Sequence, residues 1–131
     1  TALGANDVTK GTSLRRFLGQ QHALVALLLS RTGARQVIVT GLPPIGEFPA
    51  LPQPLRWVLG RQAMRFDRAL HHAMQSRTGA ELIHFERPLD RDLMASDGFH
   101  PGPAAYADWG KKVAARIKAR QHTLDATQDA P

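Results

Sequence analysis

The chain predicts an α/β fold built on a parallel sheet, and three observations carry that prediction. Amphipathic stretches of helical length alternate with short apolar runs. The central run, QVIVTGL at Gln36–Leu42, is β-branched and apolar on both faces, as suits a strand covered on both sides. Two runs are entered through the same turn, TGA, at Thr32–Ala34 and again at Thr78–Ala80.

Taken in order, Thr1–Leu3 (TAL) is short, apolar and followed by GAND, so it reads as the tail of a strand. Thr12 or Ser13 caps a helix running to about Arg31, with Leu14, Phe17, Leu18, Leu24, Val25 and Leu28 at helical spacing. The QVIVTGL strand comes next. Residues 43–54 (PPIGEFPALPQP) hold five prolines in twelve positions, too many for a regular element. A helix then spans about Leu55 to Arg77, and Glu81–Phe85 forms a shorter strand. The last helix begins near Pro103, whose fixed φ suits a first helical turn, and carries Tyr106, Trp109, Val113 and Ile117 on one stripe. Residues 1–120 thus form the C-terminal portion of one domain, and 121–131 a polar, flexible tail. Two and a half strands do not make a covered sheet. An N-terminal portion with at least two more strands, on the same polypeptide or on a separate chain, is therefore expected as the partner of this one.

Composition narrows the classes. Apolar residues make up 43% of the 131, enough for a globular core. No apolar run approaches the roughly 20 residues that span a bilayer. The chain has no cysteine, which excludes disulfides, cysteine nucleophiles and thiolate metal sites. The net charge of +6 comes mostly from arginines spread along the helices without interleaved aromatics. That pattern suits solvated faces, and no nucleic-acid partner is expected. With no H-E-x-x-H and no glycine-rich phosphate loop, no metal and no cofactor is expected either. His71 and His72 fall mid-helix beside arginines and read as solvated; His84 falls at a strand end.

Open parallel sheets place their sites beyond the carboxyl ends of the strands. Three segments leave such ends: GANDVTKG (4–11), GLPPIGEFPALP (41–52) and Phe85–His100. Their meeting on one edge would bring Asn6 and Asp7 towards Asp97 and His100. A histidine that takes a proton from a serine needs a carboxylate on its Nδ1–H. Asp97, three residues before His100, is able to supply it across a turn that Gly98 permits. The Asn6 amide is a possible donor to a developing oxyanion, and Gly4 would let backbone approach a substrate. Taken alone, D-x-x-H is better explained by a turn aspartate bonding its own backbone, and GAND by a loop after a strand.

The two motifs together resemble the SGNH (GDSL-like) hydrolases. GAND at Gly4–Asp7 is similar to that family's third block, G-x-N-D, and DGFHP at Asp97–Pro101 to its fifth, D-x-x-H. HPGPAAYADWG resembles the helix opening after the family's catalytic histidine, and GLPPIGEFP a loop of its esterase-like members. The resemblance runs from residue 1 to about 118. It implies a three-layer α/β/α, flavodoxin-like fold with a parallel sheet, of which this chain supplies only the C-terminal part. It implies hydrolysis of carboxylic esters, thioesters or acetylated sugars through an acyl-serine, with no metal. His100 would be the base, Asp97 its orienting carboxylate, Asn6 an oxyanion donor and Gly4 the shaper of that loop.

The family's first block, with its serine, and second block, with its glycine, have no counterpart here. Ser13 sits in a helix cap, Ser30 and Ser76 end helices, and Ser96 adjoins Asp97. None suits a nucleophile, so the chain alone is expected to be inactive. An ester substrate would enter over Pro43, Ile45 and Phe99. The rival expectations are a non-catalytic basic module and a degenerate domain of the same family.

Overall fold

Gly4 turns the chain out of the Thr1–Leu3 segment into a five-residue helix, α1 (Ala5–Thr9). Its φ of 129° lies where residues with a Cβ are strained, and a Cβ there would meet Leu42 at 3.1 Å and Phe17 at 3.2 Å. This computed structural model describes residues 1–85 and 91–128, and for 91 and 122–128 the backbone only. Residues 86–90, in the predicted loop from Phe85 to His100, and 129–131, in the predicted tail, lie outside the described residues. The chain divides into two compact units, Thr1–Pro88 and Leu89–Pro131.

In the first unit, Ser13 caps α2 (Leu14–Arg31), its hydroxyl accepting the Arg16 N–H at 3.3 Å. Strand β1 (Val37–Thr40) pairs in parallel with β2 (Ala80–Ile83), with Val37 opposite Ala80 and Thr40 opposite Ile83. Between them run a single 3-10 turn (Ile45–Glu47) and α3 (Leu55–Gln75). The strand-tail expectation for Thr1–Leu3 is met at Thr1. Its N–H donates to the Ile38 carbonyl at 2.6 Å, and its carbonyl accepts the Thr40 N–H at 2.8 Å. Those two bonds are the ones a residue makes when it pairs in parallel opposite Val39.

Helix α2 packs on β1 and on α3, and α3 covers β2, α1 and the 3-10 turn. Phe17 and Phe66 meet between α2 and α3 with ring centroids 5.0 Å apart. Around them Val8, Val25, Val39, Ile45, Leu70 and Met74 are fully buried. At roughly 1.5–3 kcal/mol for each large apolar side chain removed from water, this cluster is the main stabiliser of the unit.

The second unit consists of a 3-10 turn (Arg91–Leu93), a short hairpin and α4 (Pro103–Gln128). Pro103 opens α4, as its fixed φ predicts. The helix continues to Gln128, through residues the sequence set apart as a tail. Helix–strand–helix–strand–helix order on a small parallel sheet is the α/β/α arrangement expected from the sequence. Among the described residues no helix is long and apolar enough to cross a membrane.

Candidate active site

The Asp97–His100 segment is held as the tip of a hairpin. Met94 and Pro101 pair antiparallel, and the Ala95 N–H donates to the His100 carbonyl at 2.8 Å. The Gly98 N–H donates to Ala95 at 2.9 Å, and Gly98 takes the φ of 64° that the turn requires. Leu93 ties the far side down by accepting the Gly102 N–H at 2.7 Å, one residue before α4 begins.

Asp97 binds three donors from two residues. Its Oδ1 accepts the Phe99 and His100 backbone N–H groups, each at 2.9 Å, and its Oδ2 lies 2.6 Å from His100 Nδ1. The His100 backbone N–H, then the His100 ring, then the Phe99 N–H hold the Asp97 carboxyl far below its ordinary range. An ionised carboxylate has no proton to give, so Nδ1 is the donor and Nε2 the position left to accept. Among the described residues Nε2 has no partner, and the His100 side chain is 66% exposed. Phe99 stands edge-on to the imidazole with centroids 5.3 Å apart. The local chemistry is an oriented base open to solvent.

In the first unit, Gly4 is buried and Asn6 is exposed on the first turn of α1. The sequence placed Asn6 and Asp7 in a loop, whereas the structure coils them into a helix. Its bonds run from the Val8 N–H to Gly4 and from the Lys10 N–H to Asn6. The Asn6 carbonyl is thereby used by the helix, leaving the side-chain amide to serve other partners. Pro43 is half-buried, but Ile45 is 0% exposed because the 3-10 turn packs onto α3. The structure thus groups Asp97, Phe99 and His100 in one unit, and Gly4, Asn6 and the loop after β1 in the other.

Sequence reasoning missed a second polar cluster, at the carboxyl end of the two strands. Asp67 Oδ1 accepts the Leu42 N–H at 2.8 Å, and its carboxylate fills the space a Cβ on Gly41 would need. Asp67 Oδ2 lies 3.5 Å from His84 Nδ1, His84 Nε2 lies 2.8 Å from His71 Nδ1, and His71 Nε2 lies 2.7 Å from Gln75. His71 is therefore half-buried and paired rather than a bare solvated residue: a side chain on α3 meets one just past β2. The spacing of Asp67, His71 and Gln75 puts all three on one face of α3, a signal that was present in the sequence. Among the described residues no group of three or more His, Asp or Glu side chains is arranged to hold a metal ion.

The small parallel sheet with helices before, between and after its strands is consistent with an SGNH-type α/β/α fold. The chain belongs to the GDSL-like Lipase/Acylhydrolase family, whose model matches residues 1–107. It is 34% identical over 115 residues to the GDSL-like esterase Rv1075c of Mycobacterium tuberculosis, a match covering 80% of this chain and 35% of that protein. The chain thus spans about a third of the length of the curated relative it matches. No solved structure matches it.

Proposed function

We propose that this chain is the base-bearing part of a serine-dependent hydrolase acting on carboxylic esters. The observation that supports it most directly is the 2.6 Å contact from His100 Nδ1 to an Asp97 carboxylate fixed by two backbone N–H groups. Such an arrangement holds the imidazole in one tautomer and presents Nε2 as a base.

In this reading the nucleophilic serine comes from a segment outside these 131 residues. His100 Nε2 takes the serine proton as the serine oxygen attacks the ester carbonyl. The Asn6 amide donates to the oxyanion, and Gly4 keeps that turn narrow enough for close approach. The protonated His100, stabilised by Asp97, then gives its proton to the leaving alcohol. Water activated by the same imidazole releases the acid from the acyl-serine. Phe99 and Pro43 offer apolar surface to the acyl group, while Ile45 sets the loop from beneath.

Membership of a lipase and acylhydrolase family, and likeness to an esterase, support the reaction class. The test is hydrolysis of short p-nitrophenyl esters by the full-length protein and by its His100→Ala variant. Loss of turnover with the fold intact is expected; undiminished turnover removes His100 from the mechanism.

A further inference from the structure

The first unit carries an open cleft of about 1180 Å³ between the start of α2 and the first half of α3. Arg15, Arg61, Arg65 and Arg68 line it together with Trp57 and Met64. Positions 57, 61, 65 and 68 repeat at helical spacing, so one stripe of α3 presents them, and Arg15 arrives from the first turn of α2. In the sequence these arginines read as scattered charges on solvated faces; the fold gathers four of them on one cavity.

Among the described residues no carboxylate lines this cleft, and none of the four arginines pairs with one. Arg68 is steadied through its Nε, which donates to the Met64 carbonyl at 3.3 Å. The Arg61 guanidinium lies 5.1 Å over the Trp57 ring, which is 58% exposed. Four like charges facing one cavity repel each other unless anions occupy it. A guanidinium offers paired donors that match the oxygens of phosphate or sulfonate. Trp57 and Met64, both more than half exposed, add an apolar wall that a bare inorganic ion would leave uncovered. The amino end of α2, capped at Ser13, adds its partial positive charge to the same mouth.

We infer that this cleft binds a soluble small molecule bearing two or more phosphate or sulfonate groups on an aromatic or apolar body. No residue of the Asp97–His100 hairpin lines the cleft, and the inference is tested by binding alone, so it stands or falls independently of ester hydrolysis.

The experiment is calorimetric titration of the full-length protein with naphthalene-1,5-disulfonate and with tripolyphosphate. Both are expected to bind saturably, and more weakly as salt rises. Arg61→Gln with Arg65→Gln should weaken both by about tenfold or more, and Arg15→Gln in the same direction. Trp57→Ala should weaken the disulfonate more than the tripolyphosphate. Lys111→Gln with Lys118→Gln removes equal charge from α4 and should leave both affinities in place, as should His100→Ala. Melting temperature and circular dichroism confirm that each variant is folded. Equal weakening by the lysine pair, no saturable heat, or binding confined to anionic lipid vesicles would each overturn the inference.

Discussion

Two Asp–His pairs lie among the described residues, and they are built for opposite ends. In the hairpin, Asp97 and His100 are three residues apart, and the carboxylate is held by the backbone of the residues it orients. Its ring contact is 2.6 Å, and the far ring nitrogen is left open. In the first unit, Asp67 and His84 come from α3 and from the end of β2, 3.5 Å apart. There the carboxylate spends its better bond on the Leu42 N–H, and His71 occupies the far nitrogen of His84. One set of tautomers satisfies this second chain throughout: Gln75 donates to His71, His71 to His84, and His84 to Asp67. The same two residue types make an outward-facing base in one place and a brace between helix and strand ends in the other. What separates them is whether Nε2 already has a partner.

The comparison breaks most sharply at the two histidines. His100→Ala in the full-length protein should lower kcat/KM on p-nitrophenyl acetate by roughly a thousandfold or more, as loss of a general base does. His84→Ala should lower it by less than about tenfold, since its far nitrogen is taken. Equal losses would mean that the wrong pair has been assigned.

The carboxylates sharpen the contrast. Asp97→Asn should cost roughly a hundredfold or more in kcat with little change in KM, because the amide no longer fixes the tautomer. Asp67→Ala should instead appear as a stability loss of about 1–3 kcal/mol in denaturant melts, from the stranded Leu42 N–H. Asn6→Ala should lower kcat by roughly a hundredfold, the usual worth of one oxyanion donor. An unchanged kcat there would remove Asn6 from the mechanism.

The smallest expected effect concerns pH. A carboxyl whose folded pKa is depressed contributes stability above its unfolded value, and loses it only as pH falls through the folded value. Asp97 is ordinarily centred at 3.8 and is held well below that by its three donors. The hairpin should therefore keep its Phe99 and His100 amide resonances essentially unmoved by Asp97 protonation down to about pH 4. A titration of those amides centred near the ordinary carboxylate value would show that the three bonds do not form in solution.

Much of this was legible in the sequence because it is local. The Ser13 cap, the Pro103 helix start, the proline-broken loop after β1 and the Asp97 turn each depend on residues within a few positions of one another. Strand ends were less legible: Gln36–Leu42 reads as one apolar run, but only Val37–Thr40 pairs. Gly41 is needed as the space that Asp67 enters, and Leu42 turns its N–H towards the same carboxylate. GAND was read as a loop because Gly4 and Asn6 favour one; the burial of Val8 beneath it pulls the segment into α1 instead.

The sequence by itself determined the α/β alternation, the family and the Asp97–His100 pair, because periodicity, capping and a four-residue turn are short-range properties. Only the tertiary structure decided that Asp67, His71 and His84 form one network and that four arginines share one cleft. Those groupings join residues from different elements, up to 53 positions apart between Arg15 and Arg68. Their meeting is set by how α2 and α3 pack over the sheet around Phe17 and Phe66, and no local pattern encodes that.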